Sequence, residues 1–184
     1  MTCDISTSFP LRPDRMHEVC GPGAQSFAVI CAAHAGSVFL WIRESWRSEQ
    51  LNPVGFMDFF PPENLLVATT GNQTEVLATA EESLRSGVFP LVIMELSGPL
   101  DLTSGRRLQL AAKAGKTTAL AIIPDGMGSN AAETRWWCAP VFDQNDSTLQ
   151  RWKLIKNKSG TLGVWNVRWS QSTRRIAVVS EARF

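Results

Sequence analysis

The chain has 184 residues, 44% of them hydrophobic and 19% charged, enough for one well-buried core and short for two domains. Its longest apolar runs, FAVICAAHA and LVIMEL, are cut by charge, Gly or Pro well before the ~18 residues a membrane span needs, and the first residues show no basic-then-apolar secretory pattern. A single globular, cytoplasmic domain without a membrane partner is therefore expected. The net charge of +1 conceals a split: from Arg151 onward eight Lys and Arg face only Glu181, a balance of +7, against −6 over residues 1–150. Such a basic end suits nucleic acid or an acidic protein face.

Residues 1–15 hold Pro10 and Pro13 among polar residues without periodicity, and they read as an extended lead-in to one domain over residues 16–184. The stretch MHEVCGPGAQSFAVICAAHA then reads as strand, tight turn and helix, closed by Gly36. That is where a nucleotide-binding α/β domain carries its phosphate loop, G-x-x-x-x-G-K-[ST]. Counted from Gly21, through Pro22 and Gly23, this chain places Ser26 at the second Gly, Phe27 at the Lys and Ala28 at the metal-holding hydroxyl. Phe cannot neutralise a phosphate, and Ala has no oxygen for magnesium. The alternative is an ordinary strand-to-helix turn with no such ancestry.

SVFLWIR is a continuous apolar run, the pattern of a strand buried on both faces. Residues 44–63, with Pro53, Gly55, Pro61 and Pro62, leave room for at most a short helix around GFMDFF. Its Phe56, Phe59 and Phe60 form either an exposed partner surface or a plug for the sheet edge. NLLVAT is a strand, and TEVLATAEESLRSG is a helix with Thr74 as its cap and Gly87 as its end. FPLVIMEL, DLTSGRRLQLAAKAG and TTALAIIP continue as strand, helix and strand. This alternation predicts a parallel sheet with helices on its faces. Gly115-Lys116-Thr117-Thr118 spells the end of a phosphate loop, yet it follows a helix and precedes a strand, so it reads as a helix end.

Beyond Pro124 come a loop, a strand over TRWWCAPVF, and a basic β-hairpin within 151–169, with TRRIAVVSEARF as one further strand. Trp152 and Leu154 share one face of the hairpin's first strand, and Trp165, Val167 and Trp169 share a face of the second. Arg151, Lys153, Asn166 and Arg168 lie opposite, with Lys156 and Lys158 toward the turn. The tryptophans serve either as packing or as stacking platforms for bases. Cys3, Cys20, Cys31 and Cys138 are too scattered for a C-x-x-C pair, and reduced, buried thiols are expected. His17 and His34 alone make no metal centre, and His34 reads as structural. No cofactor or metal is expected.

With this order of elements, ENLLVATTGNQTEVLATAEESLRSGVFPLVIMEL resembles the RecA superfamily in the stretch of strand, cap, helix, "RSG" and strand. The resemblance puts Glu95 at the magnesium-associated carboxylate and Glu44 at the water-activating glutamate. A narrower resemblance is to the ImuA family. It is carried by HEVCGPGAQSFA, SVFLWIR, AEESLRSG, LDLTSGRRLQLAAKAG, ETRWWCAP, and RWKLIKNKSG followed by WNVRWS, which together run across almost the whole chain. It implies a RecA-like fold and a cytoplasmic accessory role in SOS mutagenesis, acting with an ImuB-like Y-family polymerase homologue and a DnaE-type polymerase. RecA and DNA are further partners in that setting. Two other readings stand beside it: a SulA-like cell-division inhibitor, and a RecA-type DNA-dependent ATPase. The loss of Lys and hydroxyl at Phe27 and Ala28 argues against ATP hydrolysis, and leaves Glu44 as a solvated edge charge and Glu95 as a sheet-end charge.

Overall fold

The computed structural model describes residues 4–181; Cys3 and Arg183 lie outside them. The chain alternates through β1 (Met16–Cys20), α1 (Ala24–Ala35), β2 (Phe39–Glu44), α2 (Pro53–Phe56), β3 (Leu65–Thr70), α3 (Gln73–Ser86), β4 (Leu91–Glu95), α4 (Leu102–Gly115) and β5 (Thr118–Ile122). It continues as strands alone: β6 (Thr134–Pro140), β7 (Gln150–Asn157), β8 (Gly163–Ser170) and β9 (Arg175–Glu181). All belong to one nine-stranded sheet, ordered β3-β2-β4-β5-β1-β6-β7-β8-β9. Pairing is parallel from β3 to β6 and antiparallel from there to β9. The protein is thus an α/β fold on a mostly parallel sheet. Among the described residues no helix is long and apolar enough to cross a membrane.

The two halves of the sheet are covered differently, and the strand patterns show why. Every residue of β1, β2 and β4 is buried, because α1 packs on one face and α3 and α4 on the other. In β7 and β8 burial alternates: Trp152, Leu154, Trp165 and Val167 join the α1-side core, while Arg151 and Arg168 on the other face stay exposed. That face has no helix over it, so polar residues are tolerated at every second position.

Local chemistry moves one expected helix boundary. The cap of α3 is Asn72, not Thr74: the Asn72 side chain accepts from the Glu75 amide at 3.0 Å. The Glu75 carboxylate in turn accepts from the Gly71 amide at 2.7 Å, so the start is held from both sides. Helix α4 ends on Lys116 in the left-handed region (φ 54°). A side chain at Gly115 would overlap the Leu84 carbonyl, so the ends of α3 and α4 meet backbone to backbone. Residues 115–118 thus close α4 and lead into β5, the helix end that the sequence predicts.

The lead-in differs from the expected free extended segment. It forms a 3-10 turn over Ile5–Thr7, capped by Asp4, and buries Ile5 and Phe9. The Phe9 ring meets Trp152 at 5.0 Å and Phe27 at 5.8 Å, so the segment is part of the core. Periodicity could not reveal this, because Ile5, Phe9 and Leu11 anchor the segment at no regular helical or strand spacing.

His17 ties the lead-in to the sheet. Its Nε2–H donates to the Arg12 carbonyl at 2.8 Å, which leaves Nδ1 as acceptor for the Thr134 hydroxyl at 2.7 Å; Thr134 Oγ1 in turn accepts from Trp136 Nε1 at 3.0 Å. Burial pushes the imidazole down to about 4, against the opposing pull of the Arg12 carbonyl and the Glu133 carboxylate. The neutral ring is therefore the folded form, and Arg12, Arg15 and Glu133 are the charges around it. Its contribution is fully present above about pH 6.5 and is lost as pH falls toward 4, since only the unfolded chain takes up the proton in that window. The loss amounts to about 3 kcal/mol. Urea unfolding at pH 7.5 and 4.5 measures it, and His17→Gln should flatten the difference. An equal slope in the variant would assign it to another group.

Candidate functional site

The β1–α1 turn is the first candidate. Gly21 has φ 88°, and a Cβ there would lie 2.6 Å from the Cys138 carbonyl oxygen, so only glycine allows the turn to press against β6. The Gly23 amide, which a phosphate loop would offer to an anion, donates instead to the Cys138 carbonyl at 2.8 Å. Pro22 sits exposed between them, and Ser26 is exposed on the first turn of α1. Phe27 and Ala28 are fully buried. The Phe27 ring lies 4.7 Å from Trp152 and 5.4 Å from Trp136, inside an aromatic cluster built by α1, β6, β7 and the lead-in. The turn has the outline of a phosphate loop, but its amide and its key side chain are committed to holding the sheet.

The two carboxylates end neighbouring strands, as their positions in sequence suggest, but neither is solvated. Glu95 is buried: Oε1 accepts from Trp41 Nε1 at 2.7 Å, and Oε2 faces Arg43 at 3.4 Å and Arg47 at 3.6 Å. Arg47 also donates to the Leu96 carbonyl at 3.2 Å. Glu95 is thus occupied by cations of its own chain where a metal-holding carboxylate would be free. Glu44 is buried too, and its Oε2 has no hydrogen-bond partner. Glu95 ends its strand as expected, whereas Glu44 is not the solvated charge expected of it.

Residues 45–62 settle where the aromatic loop points. Phe56 and Phe60 are buried and stacked at 4.7 Å, with Phe39 4.9 Å from Phe60. Phe59 is half-buried against Trp169 at 5.0 Å. The phenylalanines plug the sheet, and the exposed apolar side chains here are Trp46 (64%), Val54 (74%) and Met57 (56%), which the sequence reading passed over.

In the hairpin, Trp152, Trp165 and Trp169 are buried, so none presents a face for a base. The cations divide into two groups. Lys156 and Lys158 reach the carbonyls of Ala132 and Ala131, with Lys158 at 2.7 Å, and so hold the loop before β6. Burial, then the neighbouring Lys158 charge, holds the Lys156 ammonium below its ordinary range. The others lie on the helix-free face: Lys153 4.7 Å above the Trp137 ring, Arg151 bonded to Asn166 at 3.2 Å, and Arg168 paired with Asp146 at 3.3 Å.

Sequence reading missed the buried pair at the sheet centre. Glu18 accepts from Arg135 Nε and from the Ser129 amide, both at 2.7 Å. A Glu between buried residues of HEVC was the available signal. Cys20, Cys31 and Cys138 are buried and free. Burial, followed by the Asp125 carboxyl, pushes the Cys20 thiol up to about 12, and Cys31 and Cys138 are raised well above the ordinary thiol range by burial. None is poised as a nucleophile.

No protein-family model and no curated protein matches this chain. The arrangement combines a tightly packed strand-to-helix turn, a buried carboxylate held by two arginines, and a sheet extension with one open, cationic face.

Proposed function

We propose that the chain is a non-catalytic, RecA-like accessory protein of the bacterial DNA damage response, of the ImuA kind. In this reading it supports error-prone translesion synthesis through contacts with an ImuB-like Y-family polymerase homologue and a DnaE-type polymerase. The observation that carries it is Phe27, buried among Phe9, Trp136 and Trp152 where a phosphate-binding Lys would begin. The donation of Gly23 to Cys138 and the occupation of Glu95 by Arg43 and Arg47 support the same reading. Catalysis of phosphoryl transfer needs a cation and a held metal at those points. The ordered motifs from HEVCGPGAQSFA to WNVRWS support the family.

Calorimetric titration with ATP and magnesium is expected to give no binding at micromolar concentrations, and turnover would overturn the non-catalytic reading. A tagged copy recovered from damaged cells should bring down the two polymerases. Recovery of a tubulin-like division protein in their place would favour the SulA-like reading.

The electrostatic contact with DNA or an acidic polymerase face is assigned to Arg151, Lys153 and Arg168. Reversal of these three to Glu should abolish it, and the parent's binding should weaken steeply with salt, by about one counterion per phosphate contacted. Lys156 and Lys158 are excluded from this set, because reversing them would break the loop they hold. Unchanged binding and salt slope in the triple variant would make the hairpin purely structural.

A further inference from the structure

A cleft of about 400 Å³ opens between β2, the edge strand β3 and residues 45–62. Arg43, Glu44 and Arg47 line it, and its apolar walls come from Leu51, Phe56, Leu65 and Val67. Arg43 is 6% exposed, yet its Nε has no hydrogen-bond partner, and neither has Nε of Arg47. Both guanidinium groups lean on the one carboxylate of Glu95, at 3.4 and 3.6 Å, while Trp41 takes its other oxygen at 2.7 Å. One carboxylate therefore faces two buried or half-buried guanidinium groups: Arg47 Nε is the atom 3.6 Å from Glu95, while Arg43 Nε stays unpartnered. Glu44 also lines the cleft, with its Oε2 unpartnered, but its side chain leaves β2 on the other face. Successive side chains of a strand leave on opposite faces; Trp41 belongs to the α1-side core and Ile42 to the α3 side, which puts Arg43 with the former and Glu44 with the latter.

We infer that this cleft is a binding site for a carboxylate carried on an apolar body. The carboxylate accepts from Arg43 and Arg47, where a planar guanidinium fork matches two oxygens. The apolar body lies along Leu51, Phe56, Leu65 and Val67, and the cleft's size suits a small molecule or one terminal side chain. This also gives a reason for Val67 to be 49% exposed in an edge strand that carries no charge to guard it. The same chemistry is offered by a free aryl or alkyl carboxylate and by the C-terminal carboxylate of an apolar peptide. The inference does not depend on the damage-response reading.

Calorimetry on the full chain with 4-phenylbutyrate, 4-phenylbutanol and 4-phenylbutylammonium tests it, alongside a short peptide ending in Leu-Phe as free acid and as amide. The carboxylate should bind at least tenfold more tightly than the alcohol. Arg47→Met and Val67→Asp, both at partly exposed positions, should each weaken it tenfold or more while urea unfolding reports an intact fold. If the peptide acid outbinds phenylbutyrate, the source is a chain terminus; if phenylbutyrate outbinds the peptide, it is a small molecule. Equal binding of alcohol and carboxylate overturns the proposal, as does binding retained in both variants. Preferential ammonium binding that disappears in Glu44→Gln would assign the cleft to cations and overturn it equally.

Discussion

Lysine in place of Phe27 is expected to unfold the domain and to restore no nucleotide binding. The position reads in sequence as the cation site of a phosphate loop that has also lost its metal-holding hydroxyl, but its side chain is fully buried and ringed by Phe9, Trp136 and Trp152 at 4.7 to 5.8 Å. Truncation to Ala removes the ring and leaves a cavity, at a cost of about 3–5 kcal/mol. Lysine adds an ammonium buried among aromatic rings, which exceeds the truncation cost. Against a typical domain stability of about 5–15 kcal/mol, the Ala variant should fold with a melting temperature lower by roughly 6–20 °C, and the Lys variant should not fold cooperatively. Circular dichroism melts of the two decide it. A well-folded Lys variant that binds ATP would mean that the turn can open, and the sealed outline would be wrong.

The second large effect is expected at Glu95. Glu95→Gln keeps an acceptor for Trp41 but strands two guanidinium groups, one of them almost fully buried. Breaking a buried pair from one side costs about 3–5 kcal/mol. Adding Arg43→Met to Glu95→Gln should recover much of that loss, because the uncompensated charge leaves with it. Urea midpoints of parent, single and double variants measure both steps. A single variant within 1 kcal/mol of the parent, on the order of the surface-pair range, would show that solvent screens this cluster.

The sheet and its helices were legible because their patterns are local: buried runs at SVFLWIR and FPLVIMEL, cap-to-glycine spans for α3 and α4, and alternation in the hairpin. The partners of the polar residues were not. Nothing near Glu95 in sequence announces Trp41, and Arg47 lies in a stretch expected to hold at most a short helix; Trp41 and Glu95 meet because β2 and β4 pair in parallel. Lys156 and Lys158 looked like part of a solvated basic face, whereas the loop preceding β6 offers them carbonyls that no charge pattern reveals. Phe9 escaped because two prolines hide its approach to the core. Phe56, Phe59 and Phe60 were read with both outcomes open, and the fold of residues 45–62 turned them inward.

The central position of β1 has a consequence for how the protein is made. It precedes the other described strands in the chain, yet its neighbours in the sheet are β5 and β6, which lie about a hundred residues later. A ribosome adding about 5–20 residues per second leaves β1 without either neighbour for on the order of 5–20 s. Its apolar residues and those of α1 are therefore exposed as nascent chain throughout that interval, and long-range closure of this kind is slow even after release. The stretch from Met16 to Ala35 is the part of this protein most in need of a chaperone, and slowing translation between residues 35 and 118 should raise its aggregation more than slowing it anywhere later.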